Sequence, residues 1–337
     1  MTDHEATVIV CAYTMDRWQD ITDGVRALTQ QSALPREVIL VVDHNTELAE
    51  RARSELPALG APLLVIENDQ QRGLSGARNT GIAAATQPVI AFLDDDAVPE
   101  PSWLEELLRP FADPAVMVTG GRAVPSWPQG RPPAWFPAEF NWVVGCSYVG
   151  MPETSAAVRN VIGCSMAFRA EVFKRAGTFT EGIGRVGRVP LGCEETELCI
   201  RIVQADPTAT IMYAPASVVH HRVSPDRTTW NYFRRRCTAE GRSKAAIGAL
   251  IGNSDGTSTE RDYTSKVLPR GVGRGLADLV RGDAAGARRA AAIMLGLLLT
   301  ISGYVRSRAL SLSGTSSFAS KRPQTSMPQK AQSLPLR

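Results

Sequence analysis

Four short, almost unbroken apolar runs, each followed by residues at helical spacing, fill the first part of this chain. That alternation narrows its fold more than any other feature of the sequence. The runs are Thr7–Tyr13 (TVIVCAY), Glu37–Asp43 (EVILVVD), Pro62–Asn68 (PLLVIEN) and Pro88–Asp94 (PVIAFLD). A strand with one wet face alternates polar and apolar residues. A continuous run is covered on both faces, as in a mostly parallel sheet wrapped by helices. Between the runs, Trp18, Ile21, Val25 and Leu28 recur at helical spacing, a polar helix reaches Glu55, and Leu74–Ala85 (LSGARNTGIAAA) reads as a third helix. Ser102 and Glu105 have the spacing of a capping box opening a fourth helix, which carries Leu104, Leu107 and Leu108.

In sheets of this kind ligands bind beyond the carboxyl ends of the strands. Tyr13, Asp43, Asn68 and Asp94–Asp96 all fall at those ends, so four segments converge on one edge. No G-x-G-x-x-G follows the first strand and no G-x-x-x-x-G-K-[ST] occurs, which argues against dinucleotide dehydrogenases and P-loop enzymes. The aspartates form a D-x-D, Asp94 and Asp96 flanking Asp95. At about 4 Å two such charges repel by roughly 4 kcal/mol at an effective dielectric near 20. A cation among them relieves that repulsion, and hard divalent ions take carboxylate and phosphate oxygens.

Beyond Gly121 the alternation stops. Pro125–Trp142 is rich in proline and tryptophan, Asn160–Phe168 is strand-like, and a short helix falls near Glu171–Arg175. Gly182–Gly192 reads as a loop and Cys193–Gln204 as a helix. Strand-like runs follow at Thr210–Tyr213 and Ser217–Arg222, the second ending in His220 and His221. A helix from about Thr228 places Trp230, Phe233 and Cys237 on one face. Arg288–Arg306 is an apolar helical stretch bounded by arginines, just short of the roughly 20 residues a spanning helix needs. From Ser311 the composition is that of a disordered tail.

Overall properties exclude several classes. A net charge of +3 over 337 residues is too small to argue for nucleic acid. The start shows no secretory h-region, and the 6 cysteines are scattered without a CxxC, as expected of reduced thiols in a cytoplasm.

Taken together, VIVCAYTMDRW, VILVVDHN, GLSGARNTGI, FLDDDA, GCSMAFRAEVF and CEETELCIR resemble, in order and spacing, the inverting glycosyltransferases of family 2. The resemblance runs from about Thr7 to Arg222. It implies a GT-A fold: one mostly parallel central sheet flanked by helices, with a helical C-terminal extension. The expected division is a GT-A domain over 1–225, with a nucleotide-binding half at about 7–121 and an acceptor and catalytic half at about 122–225. A helical extension over 226–310 and a tail over 311–337 complete it.

The resemblance further implies a nucleoside-diphosphate sugar as donor, with UDP- or dTDP-sugars favoured because an aspartate can accept the imide N–H of uracil or thymine. Ala12, Tyr13, Asp43, Asn68, Arg78, Asp94 and Asp95 are the expected nucleotide-sugar residues. Asp96, Asp94 and His221 are the expected ligands of Mn²⁺ or Mg²⁺. Glu195 is the expected general base, where the family usually has an aspartate, with Glu194 and then Glu197 as alternates. Its place in the first turn of a helix predicts that it stays ionised near neutral pH. Trp135, Trp142, Arg185 and Arg188 are expected on the acceptor side, where the acceptor is a carbohydrate, a lipid-linked sugar or a small molecule. The expected location is cytoplasmic, with peripheral membrane contact through 288–306. Two rival readings stand beside this one: an aspartate-nucleophile phosphatase, because the run into Asp94–Val98 also fits that motif, and a non-catalytic sugar-binding protein.

Overall fold

The computed structural model describes residues 5–182, 192–251 and 261–312. The four apolar runs become strands β1 (Ala6–Ala12), β2 (Glu37–Val42), β3 (Leu63–Glu67) and β4 (Val89–Asp94). They pair in parallel in the order β3-β2-β1-β4. Val8, Ile9, Ile39, Leu40 and Val41 are fully buried, as strands covered on both faces must be. Helices α1 (Trp18–Leu28), α2 (Thr46–Glu55) and α3 (Leu74–Ala84) make the crossovers. Ile21, Val25 and Leu28 are the buried side of α1, as their spacing requires.

The second half of the sheet is mixed. Strand β5 (Ala97–Pro99) leads into α4 (Trp103–Leu108) and the long β6 (Val116–Ser126). The two-residue β7 (Ala156–Ala157), β8 (Ser165–Arg169), α5 (Glu171–Ala176), α6 (Glu194–Ala205) and β9 (Thr210–Arg222) follow. Strand β8 lies antiparallel between β4 and β6, and β9 runs parallel to β6 while pairing antiparallel with β5. The two runs expected at 210–213 and 217–222 are one strand. A register shift beside Gly121 and Arg122 carries it past Pro215, which has no N–H for the ladder.

Three helices complete the described chain: α7 (Trp230–Ile251), α8 (Leu268–Val280) and α9 (Ala284–Leu312). Helices α7 and α9 cross in close contact through glycine. A Cβ on Gly241 would collide with the carbonyl oxygen of Thr300, and one on Gly303 with that of Thr238. Helix α9 is longer than the apolar stretch read from sequence, because Ala284–Ala287 and Ser307–Leu312 continue it on both sides. Residues Ala284–Leu310 are thereby long and apolar enough to cross a membrane by length and composition, with 28% of the apolar window buried. One face remains outward: Met294, Leu298, Ile301 and Val305 are all exposed.

The expected capping box does not form. Ser102 stands at the N-cap of α4 without a side-chain bond, and Glu105 instead accepts from the Ser32 hydroxyl at 2.7 Å. The glycine-rich loop holding Arg185 and Arg188 and most of the expected tail lie outside the described residues.

Candidate active site

The order β2-β1-β4 puts the topological switch between β1 and β4, where Cys11 is in register with Asp94. A cavity of about 940 Å³ opens at these strand ends. Ala12, Tyr13, Asp43, Arg78, Asp94–Asp96, Trp142, Glu194, Glu195 and His221 line it, so most of the residues singled out by sequence meet there.

Asp43 is held by its surroundings. Its Oδ1 accepts from Asn68 Nδ2 at 2.6 Å and its Oδ2 from the Gly73 N–H at 3.0 Å. Gly73 has φ 131°, a conformation that a side chain would strain, and this aims its N–H at the carboxylate. Asn68 does not line the cavity; it fixes Asp43 from behind. Asp43 is not the cap of α2, a role taken by Asn45, whose Oδ1 accepts from the Leu48 N–H.

The aspartate triad lies in a ring of cations. Arg17, on the turn after β1, pairs with Asp95 and reaches Asp96 Oδ2 at 3.0 Å. Arg227 is 3.7 Å from the same oxygen, and His221 Nε2 is 3.2 Å from Asp96 Oδ1. Burial would raise the Asp96 carboxyl, but His221, Arg17 and Arg227 together hold it far below the usual carboxylate range. Burial would likewise lower His221, yet the Asp96 charge pushes it up to about 10. Asp95 is pushed up to about 7, chiefly by burial, with Arg17 opposing and the other two aspartates adding to the shift.

Ligand atoms of Asp94, Asp96 and His221 lie within 4.8 Å of one another. Asp95 Oδ2 and His221 Nδ1 are buried without a hydrogen-bond partner. Two carboxylates and one imidazole fit a small divalent cation, and the nitrogen donor favours Mn²⁺ over the harder Mg²⁺. Such an ion would take the place of the proton that His221 otherwise shares with Asp96.

Across the cavity, α6 brings Glu194 and Glu195. Cys193 just before them has φ 79°, and His44 beside Asp43 has φ 51°. These are the only positive-φ residues other than glycine among the described residues, and both adjoin the site, where such strain concentrates. Arg78 is 2% exposed and ties the two sides together: Nη1 meets Glu194 Oε1 at 3.0 Å and Nη2 lies 3.5 Å from Asp94 Oδ1. It also donates to the Gly163 carbonyl at 3.0 Å and lies over the Phe179 ring at 5.2 Å. Glu195 is half-buried. Contrary to the sequence expectation, it is pushed up to about 8, by burial first and the Glu194 charge second. The helix N-terminus does not offset these two effects.

Trp142 lines the cavity, its indole N–H donating to the Tyr263 hydroxyl at 3.0 Å. Trp135 does not line it. It stacks on Trp230, ring centroids 4.0 Å apart, and packs edge-on to Phe233 in the core behind. His220 turns away and pairs with Glu100 at 3.0 Å. Sequence reasoning missed Arg17 and Arg227. Arg17 lies four residues beyond Tyr13 at a strand end already marked as functional, whereas nothing local marks Arg227.

The comparisons now decide the family. Residues 7–177 match the model described as glycosyl transferase family 2, half of the chain. The chain belongs to glycosyl transferase family 2. This family 2 chain is 32% identical over 247 residues to the glucosyl-dolichyl phosphate glucuronosyltransferase of Haloferax volcanii, covering 73% of the chain and 78% of that relative. It is 30% identical over 161 residues to the pre-mycofactocin glycosyltransferase of Mycobacterium tuberculosis, 47% of the chain and 32% of that protein. In fold it is similar to the mannosyltransferase PcManGT of Pyrobaculum calidifontis, solved with GDP-Man and Mn²⁺. The TM-score is 0.54 at 18% identity, covering 88% of this chain and 87% of that one. GalNAc-T7 solved with UDP, GalNAc and Mn²⁺ gives 0.52 at 16% identity, covering 78% and 55%. The GT-A fold is thus established, and family membership leaves the phosphatase reading without support.

Proposed function

We propose that this family 2 enzyme moves a sugar from a UDP- or dTDP-sugar to a hydroxyl of a lipid-linked acceptor, with inversion, assisted by Mn²⁺. The observation that carries the reading is one cavity with two chemically distinct walls. The Asp94–Asp96–His221 cluster stands on one side and Glu195 on the other.

Tyr13 and Asp43 hold the base at the ends of β1 and β2. Asp94, Asp96 and His221 hold the cation, which when bound supplies charge to the leaving diphosphate as a Lewis acid. Arg17 and Arg227 already stand at Asp96 and add fixed positive charge on that side, preorganised before the donor arrives. Glu195 takes the proton of the acceptor hydroxyl as that oxygen attacks the anomeric carbon from the face opposite the diphosphate. One base without a covalent nucleophile gives inversion.

Two observations support a lipid-linked acceptor: the name of the Haloferax relative and the exposed apolar face of α9, which suits peripheral contact with a membrane. The test is incubation with a panel of UDP-, dTDP- and GDP-sugars with and without Mn²⁺, reading released nucleoside diphosphate and the product's anomeric configuration by NMR. Release from a UDP- or dTDP-sugar that chelation abolishes, with an inverted product, is expected. Metal-independent release or a retained configuration refutes the reading.

A further inference from the structure

The cavity does not end at the glutamates. From Glu195 it follows α7 past Arg236, Glu240 and Lys244, then reaches Leu297, Ile301 and Tyr304 of α9. Residues 236, 240 and 244 succeed one another every four positions and so share one helix face. Arg236 Nη1 meets Glu240 Oε2 at 2.9 Å, and Lys244 Nζ is 3.9 Å from Glu240 Oε1. Two cations therefore divide one carboxylate, and this wall carries an excess positive charge. The Arg236 side chain is only 14% exposed and its guanidinium stands 5.8 Å from the Trp142 ring. Cys193 Sγ, one residue before the glutamate pair, is 3.6 Å from Glu240 Oε1, which joins the trio to the start of α6. At the far end Ile301 both lines the cavity and is 50% exposed, so the inner surface runs out onto the apolar face of α9.

We propose that Arg236 and Lys244 form an anion subsite for the phosphate of the lipid-linked acceptor, whose chain leaves past Ile301 along the outer face of α9. This rests on the glycosyltransferase reading above and names the residues that select the acceptor. A cation in excess on a largely buried wall is costly to keep unless an anion meets it there. An arginine fork and a lysine point charge are the pair that phosphate oxygens accept best. Arg17 and Arg227 stand on the opposite, diphosphate side of Glu195, so the two anions of the reaction have separate seats with the acceptor sugar between them. The apolar exit then accounts for a lining that a soluble acceptor would not require.

The test uses the full chain and calorimetry with farnesyl phosphate, farnesol and inorganic phosphate, with UDP–Mn²⁺ binding measured in parallel. Farnesyl phosphate should bind the unaltered protein at least ten-fold more tightly than either fragment. Lys244→Met should weaken it by about ten-fold and Arg236→Gln by more, as loss of charged hydrogen bonds implies, while Arg236→Lys recovers part of the loss. UDP–Mn²⁺ binding should not change in any of them. Unaltered farnesyl phosphate binding in Lys244→Met and Arg236→Gln overturns the proposal, and so does farnesol binding as tightly as its phosphate. A parallel loss of UDP–Mn²⁺ also overturns it, by giving these cations to the donor. Should Arg236→Gln fail to fold, the partly exposed Lys244→Met decides alone. Absence of UDP binding in the unaltered protein counts against the donor reading only, because the farnesyl comparison judges this subsite independently.

Discussion

The base is the place where the structure makes the most exacting demand. With its carboxyl pushed up to about 8, Glu195 is mostly protonated in the resting enzyme at neutral pH. At pH 7 about one-tenth of molecules would carry the ionised base, and at pH 8 about half, so the rate should rise about five-fold between them. The sign follows from the role: a base acts when deprotonated, so activity is lost as pH falls below its pKa. Glu194→Gln removes the second cause of the shift and leaves Arg78 closer to neutralising Glu195 instead. Neighbouring unit charges interact by about 2 kcal/mol at an effective dielectric near 20, so the acid limb should move down by at least about one pH unit. The assay is kcat/KM for the donor at saturating acceptor, which reports the enzyme before the donor binds, measured from pH 5.5 to 9.5. A flat profile, or an acid limb that stays in place in Glu194→Gln, refutes the assignment of Glu195. A Glu195→Gln variant that keeps most of its rate does so as well.

Three further outcomes are expected. Arg78→Met leaves Glu194 and Asp94 without their shared cation in the interior and should cost about 3–5 kcal/mol in urea unfolding; a loss under 1 kcal/mol would show that the pair is not essential to the fold. Asp96→Asn should weaken Mn²⁺ binding at least about ten-fold by paramagnetic titration, while His220→Asn, on the exposed edge, leaves it unchanged. Met294→Glu with Leu298→Glu, at 53% and 63% exposed, should leave the melting temperature nearly unchanged yet abolish co-sedimentation with vesicles rich in anionic lipid; vesicle binding that survives both charges removes the membrane from the account.

The sheet was legible because each parallel strand is a closed apolar run, and the site because such a sheet presents its ligands at one edge. Asp43, Arg78, Asp94, Asp96, Glu195 and His221 were therefore within reach of a single sequence. What escaped depends on distance in the chain. Arg227 meets Asp96 from the turn before α7, and Tyr263 meets Trp142 across more than a hundred residues. The ionisation of Glu195 was misjudged for a related reason. A helix terminus can be read from local pattern, but the desolvation that outweighs it comes from everything folded around it. The length of α9 was underread because alanine and serine extend a helix without adding to its apolar signal.

Arg78 has one more consequence. A single guanidinium neutralises an aspartate contributed by the nucleotide-binding half and a glutamate contributed by the acceptor half. Chimeras that graft another relative's acceptor half onto this one must therefore import a matching acid opposite Arg78, or they strand a naked charge at the seam. Swapping specificities between such enzymes is a question of that seam before it is a question of the sugar.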